Sequence, residues 1–248
     1  MCLELLMELS MVCFSHLLYS ERIHMDTVKS ILSELEPLIN ETSKKVYFKQ
    51  GIQEEVLGIK MGDLRKLAKR IGKNNGLAWN LWKTNIYELR ILALSIFDGK
   101  NLNESELLNL ITSSDTKYLI DEYAFSLDAQ RDDQFERMET WFKHDDQRVR
   151  QTAWNLAIVL NNSNQLSYEQ RKALVDRIDQ KLLDQEPDTQ YTMNRLLCEI
   201  GIRYDDLTDR CVAIGEKLGL YREMKVAKGC VSLYAPAWIE AGRRNRKR

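Results

Sequence analysis

The chain has 248 residues, enough for a sizeable core, and its 44% hydrophobic and 29% charged residues are an ordinary balance for a globular protein. Only 3 prolines and 11 glycines interrupt a helix-favouring composition, and no stretch alternates like a β-strand, which excludes a β-rich fold and predicts a nearly all-α one. The cysteines and histidines lack the spacing of a disulfide framework or a metal site. We therefore expect a cytoplasmic protein with reduced thiols and no metal.

The first predicted element, "MCLELLMELSMVCFSHLLYS", is apolar but contains Glu4 and Glu8 and has no early Lys or Arg. It matches neither a signal peptide nor a membrane span, so we expect no membrane association. Two interpretations remain, an amphipathic helix docked on the body or an upstream extension with Met25 as the natural start. We favour the extension, over residues 1–24, because every recognisable pattern begins after Met25.

Further along the chain, four helical segments place a polar residue three positions before a small or apolar one. The segments are 87–97, 118–127, 147–160 and 191–202, and the polar residues are Arg90, Asp121, Arg150 and Asn194. The first three recur about 30 residues apart, which in an all-helical chain predicts stacked helix pairs. The expected partner helices are 104–113, 135–143 and 168–183, with Ser105 and Ser167 as caps. We predict one solenoid domain over residues 25–240, followed by a basic tail over 241–248.

The recurring polar position has two interpretations. In a solenoid the second helix of each pair lines the concave surface, so these four residues would form a row in a groove. Alternatively they make salt bridges and hydrogen bonds between repeats and fix the register. For any single residue the two interpretations are equally open. For the row as a whole we favour the groove, because its members are cationic, anionic and neutral.

The charge is unevenly distributed along the chain. Residues 44–73 contain nine Lys or Arg against three acids, and residues 221–248 contain eight against two. Two basic ends beside a groove would hold phosphates, which supply most sequence-independent affinity for nucleic acid. We predict DNA contacts from Lys44, Lys45, Lys49, Arg65 and Lys69. The alternative is a solvated helix face and a disordered tail.

Several motifs together resemble those of a known family. They are "VLGIKMGDLRKLAK" (56–69), "LW" (81–82) with "ELRILAL" (88–94), "HDDQRVRQTAWNLA" (144–157) and "KGCVSLYAPAWI" (228–239). Over roughly 46–239 the chain resembles the bacterial DNA alkylation repair proteins, the AlkD-like alkylpurine DNA glycosylases. The tail differs from the pattern of one subgroup, because Leu233 replaces its proline.

The resemblance implies a fold of HEAT-like repeats and a function. Such proteins hold duplex DNA in a basic concave groove and excise N3- or N7-alkylated purines without a metal or cofactor. A carboxylate stabilises the oxocarbenium-like sugar and can position the attacking water. The damaged base is not swung into a protein pocket, unlike in base-flipping enzymes. We expect a monomer acting on damaged duplex DNA.

Residue by residue, the resemblance places the catalytic aspartate at Asp121. Arg150 takes the position of the first arginine of a family "W-x-R-R-x-A" motif, with Arg148 in place of the tryptophan and Gln151 in place of the second arginine. Lys117 or Tyr118 occupies the position of one cleft tryptophan. The other falls near Leu197 or Cys198.

We interpret Lys117, Tyr118, Arg148, Arg150, Arg90 and Asn194 as the DNA-contacting residues of this groove. Two functions remain: a repair glycosylase, and a non-catalytic HEAT-repeat scaffold that binds DNA or a protein. The missing cleft tryptophans favour the scaffold, and family membership favours the glycosylase.

Overall fold

The computed structural model describes residues 27–114 and 116–246, which form thirteen α-helices and no β-strand. One isolated parallel bridge joins Glu55 and Ile86. The predicted all-α fold class is confirmed. The chain divides into two compact units, one ending at Asp98 and the other beginning at Gly99. The predicted extension 1–24 and the start at Met25 lie outside the described residues, and the single domain over 25–240 remains a prediction.

Over residues 27–98, the first unit contains five helices, which are α1 (Val28–Leu35), α2 (Glu41–Lys49), α3 (Met61–Ile71), α4 (Asn75–Trp82) and α5 (Tyr87–Ile96). Polar side chains begin three of them, since Thr27, Asn40 and Asn74 accept hydrogen bonds from first-turn amides. Helix α5 is apolar on nearly every side and is therefore buried between α3 and α4.

A buried carboxylate connects two of the sequence motifs within this unit. Glu88, at the start of α5, accepts hydrogen bonds from the backbone amides of Leu57 (3.0 Å), Gly58 (2.6 Å) and Ile59 (3.1 Å). Gly58 has φ +86°, and a Cβ there would lie 2.3 Å from the carbonyl oxygen of Asn40. The "LGIK" loop therefore requires both the glycine and the distant glutamate.

In the described part of the second unit there are eight helices, which are α6 (Glu104–Thr112), α7 (Lys117–Glu122), α8 (Gln134–Trp141), α9 (Gln147–Asn162), α10 (Tyr168–Lys181), α11 (Pro187–Arg203), α12 (Asp205–Leu218) and α13 (Ala235–Arg246). Helix α7 continues directly into a π-helical turn, Tyr123–Leu127. Helices α9 and α11 pack against each other at the centre. Helix α8 covers α9, while α12 and α13 cover α11. This arrangement brings one side of α7 close to α9 and α11.

The predicted helical segments agree with these boundaries to within a few residues. Ser167 caps α10 through a capping box with Gln170, as predicted. The cap predicted at Ser105 was wrong, because Asn103 caps α6 and Ser105 is already inside the first turn. In the predicted basic tail, residues 241–246 continue α13. Over the described parts of the chain, no helix is both long and apolar enough to cross a membrane.

Candidate nucleic-acid interface

Asp121 lies on α7, immediately before the π-helical turn. Thr116 begins this helix by accepting a hydrogen bond from the amide of Leu119 at 3.3 Å. The Asp121 side chain is half-buried, and its Oδ1 accepts a hydrogen bond of 2.9 Å from Nδ2 of Asn155 on α9. Asn155 is itself fully buried, so α9 holds this carboxylate in one orientation.

Burial and charge act in opposite directions on this carboxyl group. Burial raises the pKa of Asp121, while the hydrogen bond from Asn155 and the positive charges of Arg195 and Lys117 lower it. The negative charge of Asp188 adds to the raising effect, and the net result is a raised pKa. Arg195 and Lys117 are therefore the cations that favour ionisation here.

The two arginines at the start of α9 bind the residues that immediately precede this helix. Nη1 of Arg150 donates to the carbonyl oxygens of His144 (2.7 Å) and Asp145 (2.6 Å). Arg148 forms an ion pair of 2.6 Å with Asp146, which also accepts the Arg148 amide as the helix cap. The Arg150 guanidinium is therefore directed to backbone carbonyl oxygens and does not contact the Asp121 carboxylate.

Aromatic side chains surround Lys117. Its Nζ lies 5.5 Å from the ring centroid of Tyr118 and 5.1 Å from that of Tyr191 on α11, within the range of cation–π attraction. It also lies 3.7 Å from the Asp188 carboxylate. Tyr221, in the loop after α12, is close enough for Tyr191 and Asp188 to add to the burial that raises its pKa. Tyrosines therefore lie in the region where the family resemblance predicts a cleft tryptophan that this chain lacks.

A cleft of about 300 Å³ lies where α7, α9 and α11 begin. Its more exposed lining residues are Lys117, Arg148, Glu186 and Asp188, and its buried ones are Ser114, Ile120, Gln151 and Thr189. Helix α11 begins with Pro187, and no side chain caps it. The amides of Asp188 and Thr189 therefore have no hydrogen-bond partner among the described residues. The cleft thus offers both cationic side chains and open backbone donors.

Two of the four residues predicted to line the groove, Arg90 and Asn194, are buried. Arg90 is 6% exposed, forms an ion pair of 2.7 Å with Glu54, and donates to Asn85 and to the carbonyl oxygen of Trp82. Asn194 is 2% exposed and donates to the carbonyl oxygen of Leu233 at 2.8 Å. Neither side chain is accessible to DNA, so both are corrected to structural roles. For these residues the register interpretation is the better one.

The basic residues predicted in the first unit lie on α2 and α3. Lys45, Lys49, Arg65 and Lys69 are exposed. Lys44 is half-buried and forms an ion pair of 3.0 Å with Glu41. Four of the five predicted cations are therefore accessible without first breaking an ion pair.

Sequence reasoning missed Asn155, Tyr191, Tyr221 and Arg195 as members of the Asp121 region. Tyr191 opens the fourth recurring segment, but the repeat pattern does not predict that it lies beside Lys117. Asn155 lies one helical turn after Gln151 on α9 and could have been found from helical spacing. Tyr221 carries no local signal, because it is in an irregular loop with φ +63°.

Comparisons with known proteins agree with this architecture. A family model described as DNA alkylation repair enzyme matches residues 31–238. An uncharacterised protein of Listeria monocytogenes serovar 1/2a is 25% identical over 228 residues, covering 90% of this chain and all of that protein. An uncharacterised protein of Listeria innocua serovar 6a is 24% identical over 224 residues, covering 88% and 98% of the two chains.

A solved structure gives the fold. It superposes with a TM-score of 0.74 at 24% identity, covering 89% of this chain and 94% of the other, and is described as "a new family of proteins related to the HEAT-like repeat DNA glycosylases with affinity for branched DNA structures". The predicted HEAT-like repeat fold is confirmed by this likeness. The chain belongs to the DNA alkylation repair enzyme family.

Proposed function

We propose that this protein binds DNA through the beginnings of α7, α9 and α11, with phosphates held at the mouth of the cleft. The observation that carries the proposal is the uncapped start of α11 beside Lys117 and Arg148. Open amides at a helix start, together with cationic side chains, form a favourable environment for a phosphate. Family membership and the DNA affinity described for the structural relative point to the same class of ligand.

The acids near these cations determine how strongly the site binds. Lys117 is 3.7 Å from Asp188, and Arg148 is 2.6 Å from Asp146. A phosphate must exchange places with these carboxylates, so the gain from each contact is reduced. The exposed cations Lys45, Lys49, Arg65 and Lys69 on α2 and α3 have no such ion pair among the described residues, and we assign them a larger share of the non-specific affinity.

The binding experiment compares a paired duplex with a branched junction of the same length at two salt concentrations. Affinity for both should fall steeply with salt because counterions are released. Changing Lys45, Lys49, Arg65 and Lys69 together to Gln should weaken binding at least tenfold. The matched control changes four other exposed lysines, Lys83, Lys100, Lys143 and Lys181. Absence of binding at low salt would overturn the proposal, and an equal loss in the control would overturn the share assigned to α2 and α3.

A second candidate function is excision of N3- or N7-alkylated purines. The observation that favours it is Asp121, half-buried, oriented by Asn155 and flanked by the charges of Lys117 and Arg195. An ionised carboxylate in this setting stabilises a positive charge that develops on the deoxyribose as the glycosidic bond breaks. Because the pKa of Asp121 is raised, excision should decline as the pH falls toward the acid range.

The test is release of 7-methylguanine or 3-methyladenine from duplex DNA. Asp121→Asn keeps the shape and the Asn155 hydrogen bond but removes the charge. It should abolish base release and leave DNA affinity equal or higher, since an anion near the phosphates is gone. Release unchanged by this variant would remove Asp121 from the mechanism. If the wild-type protein binds DNA but releases no base, it is a non-catalytic binding protein.

A further inference from the structure

The interior of the cleft between α7, α9 and α11 contains two polar side chains without partners. Gln151 on α9 is 6% exposed and Thr189 on α11 is 3% exposed, and both line the cleft. Neither side chain has a hydrogen bond to any residue that the structure describes. The hydrogen-bonding groups of both side chains are therefore available to a ligand that enters the cleft.

Each of the two cations that line the cleft is paired with a carboxylate. Lys117 is matched by Asp188 at 3.7 Å and Arg148 by Asp146 at 2.6 Å. The three most buried polar residues of the lining, Ser114, Thr189 and Gln151, are neutral. Ile120, 3% exposed, and Pro187 add apolar surface to the walls. An interior of this kind favours a neutral ligand that combines apolar faces with hydrogen-bonding edges.

We propose that this cleft accepts a single neutral nucleobase. A nucleobase has flat apolar faces and a rim of donors and acceptors, and a glutamine amide offers one donor and one acceptor side by side to such a rim. The Thr189 hydroxyl can serve as either. The volume of about 300 Å³ is at the lower end of small-ligand sites, which suits one base and excludes a base pair.

The surroundings of Lys117 determine which bases enter. Its ammonium group already faces the rings of Tyr118 and Tyr191, and it lines the cleft. Because this ammonium already lies against both rings, they offer a cationic alkylated base no further cation–π attraction over a neutral base. The base that enters is thus an undamaged one, either unpaired at a branch or opposite a lesion. This inference rests on the proposed function only because DNA binding would bring the base to the cleft. Binding of a free nucleoside to the cleft can be measured without DNA.

The first arm of the test uses DNA carrying an unpaired 2-aminopurine at a branch. Binding should raise the fluorescence of that base, because it leaves the stack. Gln151→Leu should remove this rise while affinity for fully paired duplex stays within twofold. The same chemical change at an exposed residue, Gln165→Leu, is the matched control. An unchanged fluorescence rise in the cleft variant, with DNA affinity retained, would overturn the inference and leave the proposed function intact.

The second arm uses free adenosine and inorganic phosphate as probes, followed by ligand-observed NMR on the full chain. Adenosine should bind weakly to the wild type and at least fivefold more weakly to Gln151→Leu. Binding of phosphate with no binding of adenosine would identify an anion site and overturn the inference. Adenosine binding that depends on Gln151, in a protein that fails to bind DNA, would support the inference and overturn the proposed function. Because Gln151 has no partner to lose, its replacement should not lower the thermal midpoint, which verifies folding.

Discussion

The region around Glu88 and the region from Asp121 to Asp128 both bury carboxylates, but they satisfy them differently. Glu88 accepts three backbone amides at 2.6–3.1 Å. Asp121 has one amide partner, and Asp128 pairs with Arg137 at 2.5 Å while its other oxygen has no hydrogen bond. A saturated carboxylate connects two chain segments. A buried carboxylate with fewer hydrogen bonds keeps a raised pKa, so it takes up a proton or changes its partner more readily.

The largest effect should come from removing the saturated carboxylate. Glu88→Ala leaves three amides without an acceptor, two of them deeply buried, so the free energy of unfolding should fall by about 5 kcal/mol. Glu41→Ala, in the same unit, removes an exposed i,i+3 ion pair and should cost under about 1 kcal/mol. Urea denaturation of both variants measures the difference. Similar midpoints for the two would contradict the distinction between the regions.

The glycine in the Glu88 loop should show a nearly equal effect. Gly58→Ala places a Cβ 2.3 Å from the Asn40 carbonyl oxygen at φ +86°, and we expect a loss of about 3 to 4 kcal/mol from overlap and backbone strain together. Gly51→Ala is the control, because its φ of +81° is similar but no atom lies within 4 Å. Only the backbone term of about 1 to 2 kcal/mol should remain there. Equal losses would show that the loop tolerates the overlap.

The titration of Asp128 should be the next largest effect. Burial raises the pKa of Asp128 to about 6, even though Arg137 and Arg131 oppose it. A raised pKa in the folded protein means that the stabilising contribution is complete below the unfolded value of about 4 and is lost as the pH rises through about 6. Relative to Asp128→Asn, the wild type should lose roughly 2 to 3 kcal/mol between pH 4 and pH 7. Urea midpoints against pH measure it, and parallel curves would be inconsistent with this carboxyl group titrating there.

The smallest effect should come from Asp121→Asn. Because burial raises the pKa of Asp121, ionisation disfavours the folded state, and the wild type loses stability as the pH rises through the folded pKa. The variant should therefore melt at an equal or higher temperature at neutral pH, and the difference should vanish in acid. Calorimetry at several pH values is sufficient. A lower midpoint at neutral pH would show that Asp121 is a structural anchor like Glu88.

The local features of the fold could be predicted from the sequence because their causes are local. The cap at Ser167 follows from a serine three residues before a glutamine, and α9 follows from its apolar periodicity. The site was harder, because its partners come from distant segments: Asn155 meets Asp121 across 34 positions. Arg90 shows the limit most clearly. Arg90 has the same spacing as the other predicted groove residues, but it forms a buried ion pair with Glu54 and a hydrogen bond with Asn85. The periodicity of a sequence does not predict a buried ion pair.

The π-helical turn Tyr123–Leu127 has a consequence for comparing this chain with its relatives. Such a turn closes each hydrogen bond one residue later than an α-helix does, so it acts as a single inserted residue. The positions of this turn, Tyr123–Leu127, are therefore displaced from the phase of an uninterrupted α-helix. A sequence motif of fixed spacing that continues from Asp121 into this turn is shifted by one residue relative to the same motif on an uninterrupted α-helix. An alignment with a chain whose helix is uninterrupted here needs a one-residue gap.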